Sequence, residues 1–214
     1  MTDQADGDPE RALALSYAPA DRRAGLAALL ALDAQFSQIV RTTSEPAIGQ
    51  MRLTWWFEAL ERLDTGQPPA EPILRALTAE VLPTGVTGAA LAGMIDGWEP
   101  LILDDTPDWP VVGRERGGRL FQAAARLLGA TDPRIDQLGE GWALAEIAKH
   151  WPLNGTSVRL LAEARLAASF RPPLPRALRP LGALALLARS DLAGAKPGSP
   201  GRVARLLTHR LTGR

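Results

Sequence analysis

Glu45-Pro-Ala-Ile-Gly-Gln-Met-Arg-Leu-Thr-Trp-Trp-Phe-Glu-Ala-Leu60 reads as one amphipathic helix, and the rest of the chain can be arranged around it. Pro46 falls where a first helical turn tolerates proline, and Ser44 upstream is the expected N-cap. Met51, Trp55 and Ala59, with Ile48 and Leu60, recur at helical spacing and predict a buried stripe. Plain amphipathicity does not require Arg52 beside Trp55-Trp56-Phe57. An arginine among three aromatics is stacked, paired to a carboxylate, or aimed into a cavity that holds an anion.

Outward from this helix, glycine and proline punctuate apolar segments of helical period, and no segment sustains a period-2 alternation. Helices are predicted at about Pro19–Val40, with Leu26, Leu29, Leu30 and Leu32 inward, and at about Pro72–Leu82, Thr87–Leu103 and Leu120–Leu128. Asp132-Pro133 reads as a cap and first-turn proline opening a helix to about His150. Further helices are expected at about Val158–Ser169, Leu174–Ala193 and Ser199–Thr212, with Pro180 kinking or breaking the penultimate one. The expected fold class is all-α, a single helical domain over residues 1–194 followed by a basic linker and C-terminal helix at 195–214.

Composition narrows the function classes. A chain of 214 residues suits one full-sized domain, and a hydrophobic fraction of 46% argues against disorder. The absence of cysteine excludes disulfides, thiolate zinc sites and thiol nucleophiles together. The polar, acidic start Met1-Thr-Asp-Gln-Ala-Asp-Gly-Asp-Pro-Glu10 reads as neither secretory signal nor transit peptide. The longest apolar runs, Ala24–Leu32 and Leu181–Ala188, are shorter than the ~20 residues of a membrane span. The expected location is cytoplasmic, or touching a membrane only from outside. Net charge is +0, yet Arg159–Arg214 holds eleven basic residues against Glu163 and Asp191, an excess of nine. A terminal helix with Arg202, Arg205, His209 and Arg210 around Val203, Leu206, Leu207 and Leu211 suits docking on an anionic membrane or an acidic protein. Equally, its leucines pack back and its arginines are solvated. Nucleic acid is not an expected partner, because beyond Phe170 these basic residues have almost no interleaved aromatics for base stacking.

The Met51-Arg-Leu-Thr-Trp-Trp-Phe-Glu-Ala-Leu60 segment resembles the Met-Arg-Leu-x-Trp-Trp-x-x-Ala-Leu signature of the squalene/phytoene synthase family. Its nearest likeness is to a divergent branch that includes a mitochondrial complex I assembly factor. The resemblance runs over about residues 11–195 and implies an isoprenoid-synthase-like helical fold with a central cavity. In active members, two aspartate-rich motifs on facing helices hold Mg²⁺ ions that grip the diphosphate of a prenyl donor. Matching Ala28-Leu-Leu-Ala-Leu-Asp33 to the first motif helix puts the aspartate positions at Ser37, Gln38 and Arg41. Matching Leu138-Gly139-Glu-Gly-Trp-Ala-Leu-Ala-Glu146-Ile-Ala-Lys149-His150 to the second puts them at His150 and Asn154. Both gripping motifs are therefore degraded, so no catalytic residue, no metal site and no cofactor is expected. Mg²⁺ enters only if the chain is a transferase that uses displaced carboxylates such as Glu146, Asp33 and Glu58.

The cavity implied by the resemblance would be lined by Arg41, Arg52, Trp55, Trp56, Trp142, Glu146, Lys149 and His150. With aspartates lost and cations gained, it would suit a prenyl or lipid-like anionic ligand held without metal. Trp55, Trp56 and Trp142 are expected as core residues first. Asp104-Asp-Thr-Pro-Asp108 spells the Asp-Asp-x-x-Asp of prenyl transferases, but Pro107, Trp109 and Pro110 make it a turn, not one helix face. Gly117-Gly118 lacks the strand and Lys-Ser/Thr of a phosphate loop and is expected to allow close helix contact. His150 and His209 have no zinc spacing. The two function classes are a non-catalytic binding or assembly protein beside the inner membrane, with a protein partner in membrane-complex assembly, and a squalene/phytoene synthase-type prenyl transferase.

Overall fold

A computed structural model describes residues 9–150, 155–168 and 173–213, and among them the chain is helical with no strand. In order, the helices are α1 (Pro9–Leu15), α2 (Arg23–Thr42), α3 (Pro46–Arg62), α4 (Pro72–Glu80), α5 (Gly88–Ala92) and α6 (Pro100–Leu103). They continue as α7 (Trp109–Gly113), α8 (Arg119–Leu127), α9 (Ile135–His150), α10 (Gly155–Ala168), α11 (Arg179–Leu192) and α12 (Pro200–Thr212). This is the all-α architecture that the family resemblance implies. One sub-group packs α2 against α3, α4 and α8, and the other packs α9 against α10, α11 and α8. Leu29, Leu32, Phe36, Leu53, Leu60, Phe121, Leu138 and Leu144 are all fully buried in the shared core.

Several boundaries differ from the sequence expectation for identifiable reasons. On α3 the residue in the capping position is Glu45, not Ser44, and no side chain caps the helix. The inward stripe of α3 is Gly49, Leu53, Trp56, Ala59 and Leu60, while Met51 is 72% exposed, Ile48 48% and Trp55 44%. The segment holds two apolar stripes at helical spacing, and packing of Gly49 on Ile102 chooses the one with the small residue. The predicted 87–103 helix is broken into α5, a 3₁₀ turn at Gly93–Gly97 and α6, with Pro100 starting the last piece. α9 begins at Ile135, because the Asp132 carboxylate accepts from the Arg134 N–H at 3.0 Å and from its guanidinium at 2.6 and 2.8 Å, forming a turn. The segment predicted as one helix at about 174–193 is broken beside Pro180, as expected: a 3₁₀ turn at Arg176–Leu178 precedes it and α11 starts at Arg179. Proline in a first turn removes an N–H that has no partner there anyway.

α12 lies on α11, and its charge does not all face solvent. Arg202 is 3% exposed and pairs with Glu10 of α1 at 2.7 Å and with Asp191 of α11. Burial depresses the Arg202 charge, but Asp191 and Glu10 outweigh it and the guanidinium is held more firmly protonated than usual. His209 is fully buried, with Nε2 donating to the Arg179 carbonyl at 3.1 Å. The basic face expected from Arg202, Arg205, His209 and Arg210 is thus halved. Arg205 and Arg210 point outward beside exposed Leu207 and Leu211, while Leu206 is core.

Candidate functional site

α2 presents its inner face through Leu29, Leu32, Asp33, Phe36 and Ile39. Asp33 is a buried carboxylate, and it is satisfied by the chain itself: Arg116 donates from Nε to Oδ1 at 2.9 Å and from Nη2 to Oδ2 at 3.0 Å. Side-chain exposure is 3% for Arg116 and 6% for Asp33. The guanidinium carbon lies 3.9 Å from the Trp98 ring centre and 5.5 Å from that of Trp142. Phe36 meets Trp56 and Trp98 edge-on at 5.9 and 6.5 Å, and Phe121 lies tilted on Trp142 at 5.5 Å. Between α2 and α9, where the family resemblance implies a cavity, the chain places a bidentate ion pair walled by indoles.

Backbone detail delivers Arg116 to this place. A π-helical turn at Arg114–Gly118 joins α7 to α8, and such a turn re-aims the side chains it carries. Gly97 admits the Arg116 backbone, since a Cβ there would stand 2.4 Å from the Arg116 nitrogen. A Cβ on Gly117 would meet the Gly139 carbonyl oxygen at 2.0 Å, so Gly117 serves the close helix contact expected of it. Burial pushes the neighbouring Glu115 carboxyl up, but bonds from Arg119 at 2.6 Å and Arg114 at 3.0 Å outweigh this and hold it below the usual range. On α9, burial pushes Glu140 up, with Arg165 opposing.

The residues expected to line one pocket fall in three places. Arg41 and Arg52 stand exposed at the end of α2 and on α3, with Trp55 also at the surface, edge-on to Trp56 at 5.3 Å. Among the described residues, Arg52 is neither stacked on a ring nor paired to a carboxylate. It donates to the Thr43 and Thr42 hydroxyls at 3.3 and 3.5 Å, tying α3 to the end of α2. Trp56 and Trp142 are core, as expected. Glu146, Lys149 and His150 form the last turn of α9, where Lys149 pairs with Asp191 at 3.3 Å and a His150 ring nitrogen meets the Glu146 carbonyl at 2.8 Å. Asn154 lies outside the described residues. Two open surface hollows, of about 570 and 380 Å³, are lined by none of these groups: the larger sits at Arg126, Ala130 and Ile135, the smaller at Glu58, Glu61 and Arg62.

The donor set at the motif positions does not fit Mg²⁺. A hard dication needs several carboxylate or carbonyl oxygens. Ser37 is half-buried, Gln38 and Arg41 are exposed, and His150 supplies an imidazole. Asp33, the buried acid of α2, has both oxygens committed to Arg116. Among the described residues no three His, Asp or Glu side chains gather as a metal site. Asp104, Asp105 and Asp108 are exposed, and Asp108 caps α7 by accepting from the Val111 N–H at 3.2 Å, the turn role expected of that loop.

Sequence reasoning missed Arg116 and Trp98. Their signal was present in part: an arginine set against paired glycines expected to touch another helix is destined for the interior. No curated protein and no solved structure gives a match to the chain. A family model described as squalene/phytoene synthase matches residues 4–160, nearly three quarters of the sequence. The chain that folds around this Asp33–Arg116 pair belongs to the squalene/phytoene synthase family.

Proposed function

We propose that this chain is a non-catalytic member of its family, with a binding or assembly role of the complex I assembly kind beside the inner membrane. One observation carries the reading. The acid that α2 retains, Asp33, is neutralised internally by Arg116, and one helical turn on the same helix offers Ser37, Gln38 and Arg41 instead of carboxylates. Ionising a prenyl diphosphate needs dications to neutralise the leaving group, and the one acid of this helix is already paired to Arg116 of the π-turn. Arg41, Arg52 and the hydroxyls of Thr42 and Thr43 suit an anionic head group of a prenyl or lipid-like ligand, bound by charge-assisted hydrogen bonds without metal. Leu207 and Leu211, flanked by Arg205 and Arg210, suit peripheral contact with an anionic bilayer.

Incubation with farnesyl or geranylgeranyl diphosphate and Mg²⁺ is expected to release no pyrophosphate above background. Either lipid is expected to raise the melting temperature equally with and without Mg²⁺. The transferase reading keeps one supporting observation, the half-buried Glu146 on α9. Mg²⁺-dependent turnover that Glu146→Gln abolishes would establish that reading and end the first.

A further inference from the structure

Where α1, the start of α11 and the end of α12 come together, arginines gather that no acid answers. Arg179, the first residue of α11, donates from Nη1 to the Arg210 carbonyl in the last turn of α12. Arg210 in turn lays its guanidinium 5.3 Å from the centre of the Tyr17 ring, just past α1. Arg176 stands exposed on the 3₁₀ turn that leads into α11. Acids are absent from this end of the molecule. From residue 173 to 213 the one acid is Asp191, held by Arg202 and Lys149 at the opposite end of α11. Glu10 is bound to Arg202 there as well, and Asp21, beyond Tyr17, pairs with Arg22 at 3.3 Å.

Two polar atoms here are buried without a hydrogen bond among the described residues, the Tyr17 hydroxyl and Arg179 Nε. Buried groups of this kind are normally paired, so two of them linked through Arg210 mark a place for an acceptor. The acceptor that suits guanidiniums and a phenol together is a phosphate, whose oxygens take a guanidinium fork and a hydroxyl at once. Leu207 and Leu211 indicate whose phosphate it is. One turn apart on the outward face of α12 and beside Arg210, they are 46 and 78% exposed. A soluble phosphate ester gains nothing from them, whereas the acyl boundary of a bilayer takes leucines while its headgroups take arginines. We propose that Arg179, Arg210 and Tyr17, with Arg176 at the edge, form a site for the phosphate of one anionic lipid at the end of α12. This rests on the reading above that α12 meets an anionic bilayer, and it turns a general attraction into a defined headgroup contact. Arg210 has no acid to leave, so it turns from the Tyr17 ring to the phosphate, and the Tyr17 hydroxyl and Arg179 Nε donate to the same group.

Co-sedimentation of the full chain with vesicles tests it. Phosphatidylglycerol vesicles are expected to carry the chain down, and phosphatidylcholine vesicles to leave it in solution. Arg179→Gln and Arg210→Gln are each expected to weaken binding about tenfold. Arg189→Gln, which removes an exposed arginine near the far end of α11, is expected to change it less than about twofold. Tyr17→Phe keeps the ring and loses only the hydroxyl, so a loss of about threefold with an unchanged circular dichroism melt is expected. Equal losses for Arg179→Gln and Arg189→Gln, or Tyr17→Phe binding as tightly as the native chain, overturn the site and leave a diffuse attraction of α12 to the bilayer. A native chain that stays in solution with every anionic vesicle overturns the bilayer contact as well. Burial holds Tyr17, the single tyrosine of the chain, above the usual phenol value, with Arg210 opposing. Inorganic phosphate that raises its ionisation further, with no vesicle binding, would reassign the same groups to a soluble phosphate and overturn the lipid.

Discussion

Two arginine-bearing regions of α2 and its neighbours behave in opposite ways. Between α2 and α9, Arg116 is shut away from water, doubly bonded to Asp33 and faced by Trp98 and Trp142. About two turns further along α2, Arg41 is exposed, and Arg52 across the turn reaches the hydroxyls of Thr42 and Thr43. Family resemblance alone would assign the binding chemistry to the interior and leave the rim as surface. The structure neutralises its interior acid with its own arginine, leaves Arg116 Nη1 and Trp98 Nε1 without a hydrogen bond among the described residues, and has exposed cations at the rim. A buried charge must be answered by a partner or it unfolds its surroundings, whereas an exposed charge is answered by water and stays available to a ligand.

The sharpest way to break this contrast is Asp33→Ala. It strands the Arg116 charge and is expected to cost about 3–5 kcal/mol, read as a large fall in the denaturant midpoint. Replacing the pair together, Asp33→Leu with Arg116→Met, is expected to recover most of that loss, because the attraction and the desolvation cost are removed at once. A loss no larger than that of a surface mutation would show the interior to be wet.

Gly117→Ala tests the backbone that delivers Arg116. Its new methyl meets the Gly139 carbonyl and must part α9 from the π-turn, so a loss of about 1–3 kcal/mol is expected in urea titration. Gly201→Ala, at a site with nothing near, is the control, and it is expected to be neutral or to raise stability by up to about 1 kcal/mol.

Asp132 and Arg134 form an intermediate case, with side chains 9 and 15% exposed. The hydrogen bond from Arg134 holds the Asp132 carboxyl below the usual range, ahead of an opposing effect of burial. A depressed acid contributes stability that is fully present above its unfolded value near 4 and lost as pH falls through the folded value. Melting temperatures of the native chain and Asp132→Asn are therefore expected to differ at pH 6, with the gap narrowing progressively as pH falls below about 4. A constant gap would remove Asp132 from the acid transition.

Smallest of all, Arg41→Ala and Arg52→Ala are expected to change stability by less than about 0.5 kcal/mol. If the rim is the ligand surface, the same two substitutions abolish the thermal shift given by prenyl diphosphates. A stability loss near that of Asp33→Ala would erase the distinction between the regions.

Local pattern was enough for much of this molecule. Helical periodicity without alternation determined the all-α class, Leu26, Leu29, Leu30 and Leu32 determined the inner face of α2, and the Ser199-Pro200 pair set the start of α12. The missing carboxylates at Ser37, Gln38 and Arg41 were also legible, because a donor set is a property of residue type. Which stripe of α3 turns inward was not, since Ile48-Met51-Trp55 and Gly49-Leu53-Trp56 fit one period equally well and only contact with α5, α2 and α6 separates them. Nor was the partner of Asp33, 83 residues away on a π-turn, or the burial of Arg202 by acids from α1 and α11. That a segment is helical at all follows from interactions within a few residues, and the sequence determines it alone. The choice of which charges meet across the core depends on long-range packing and desolvation, and only the tertiary structure decides it.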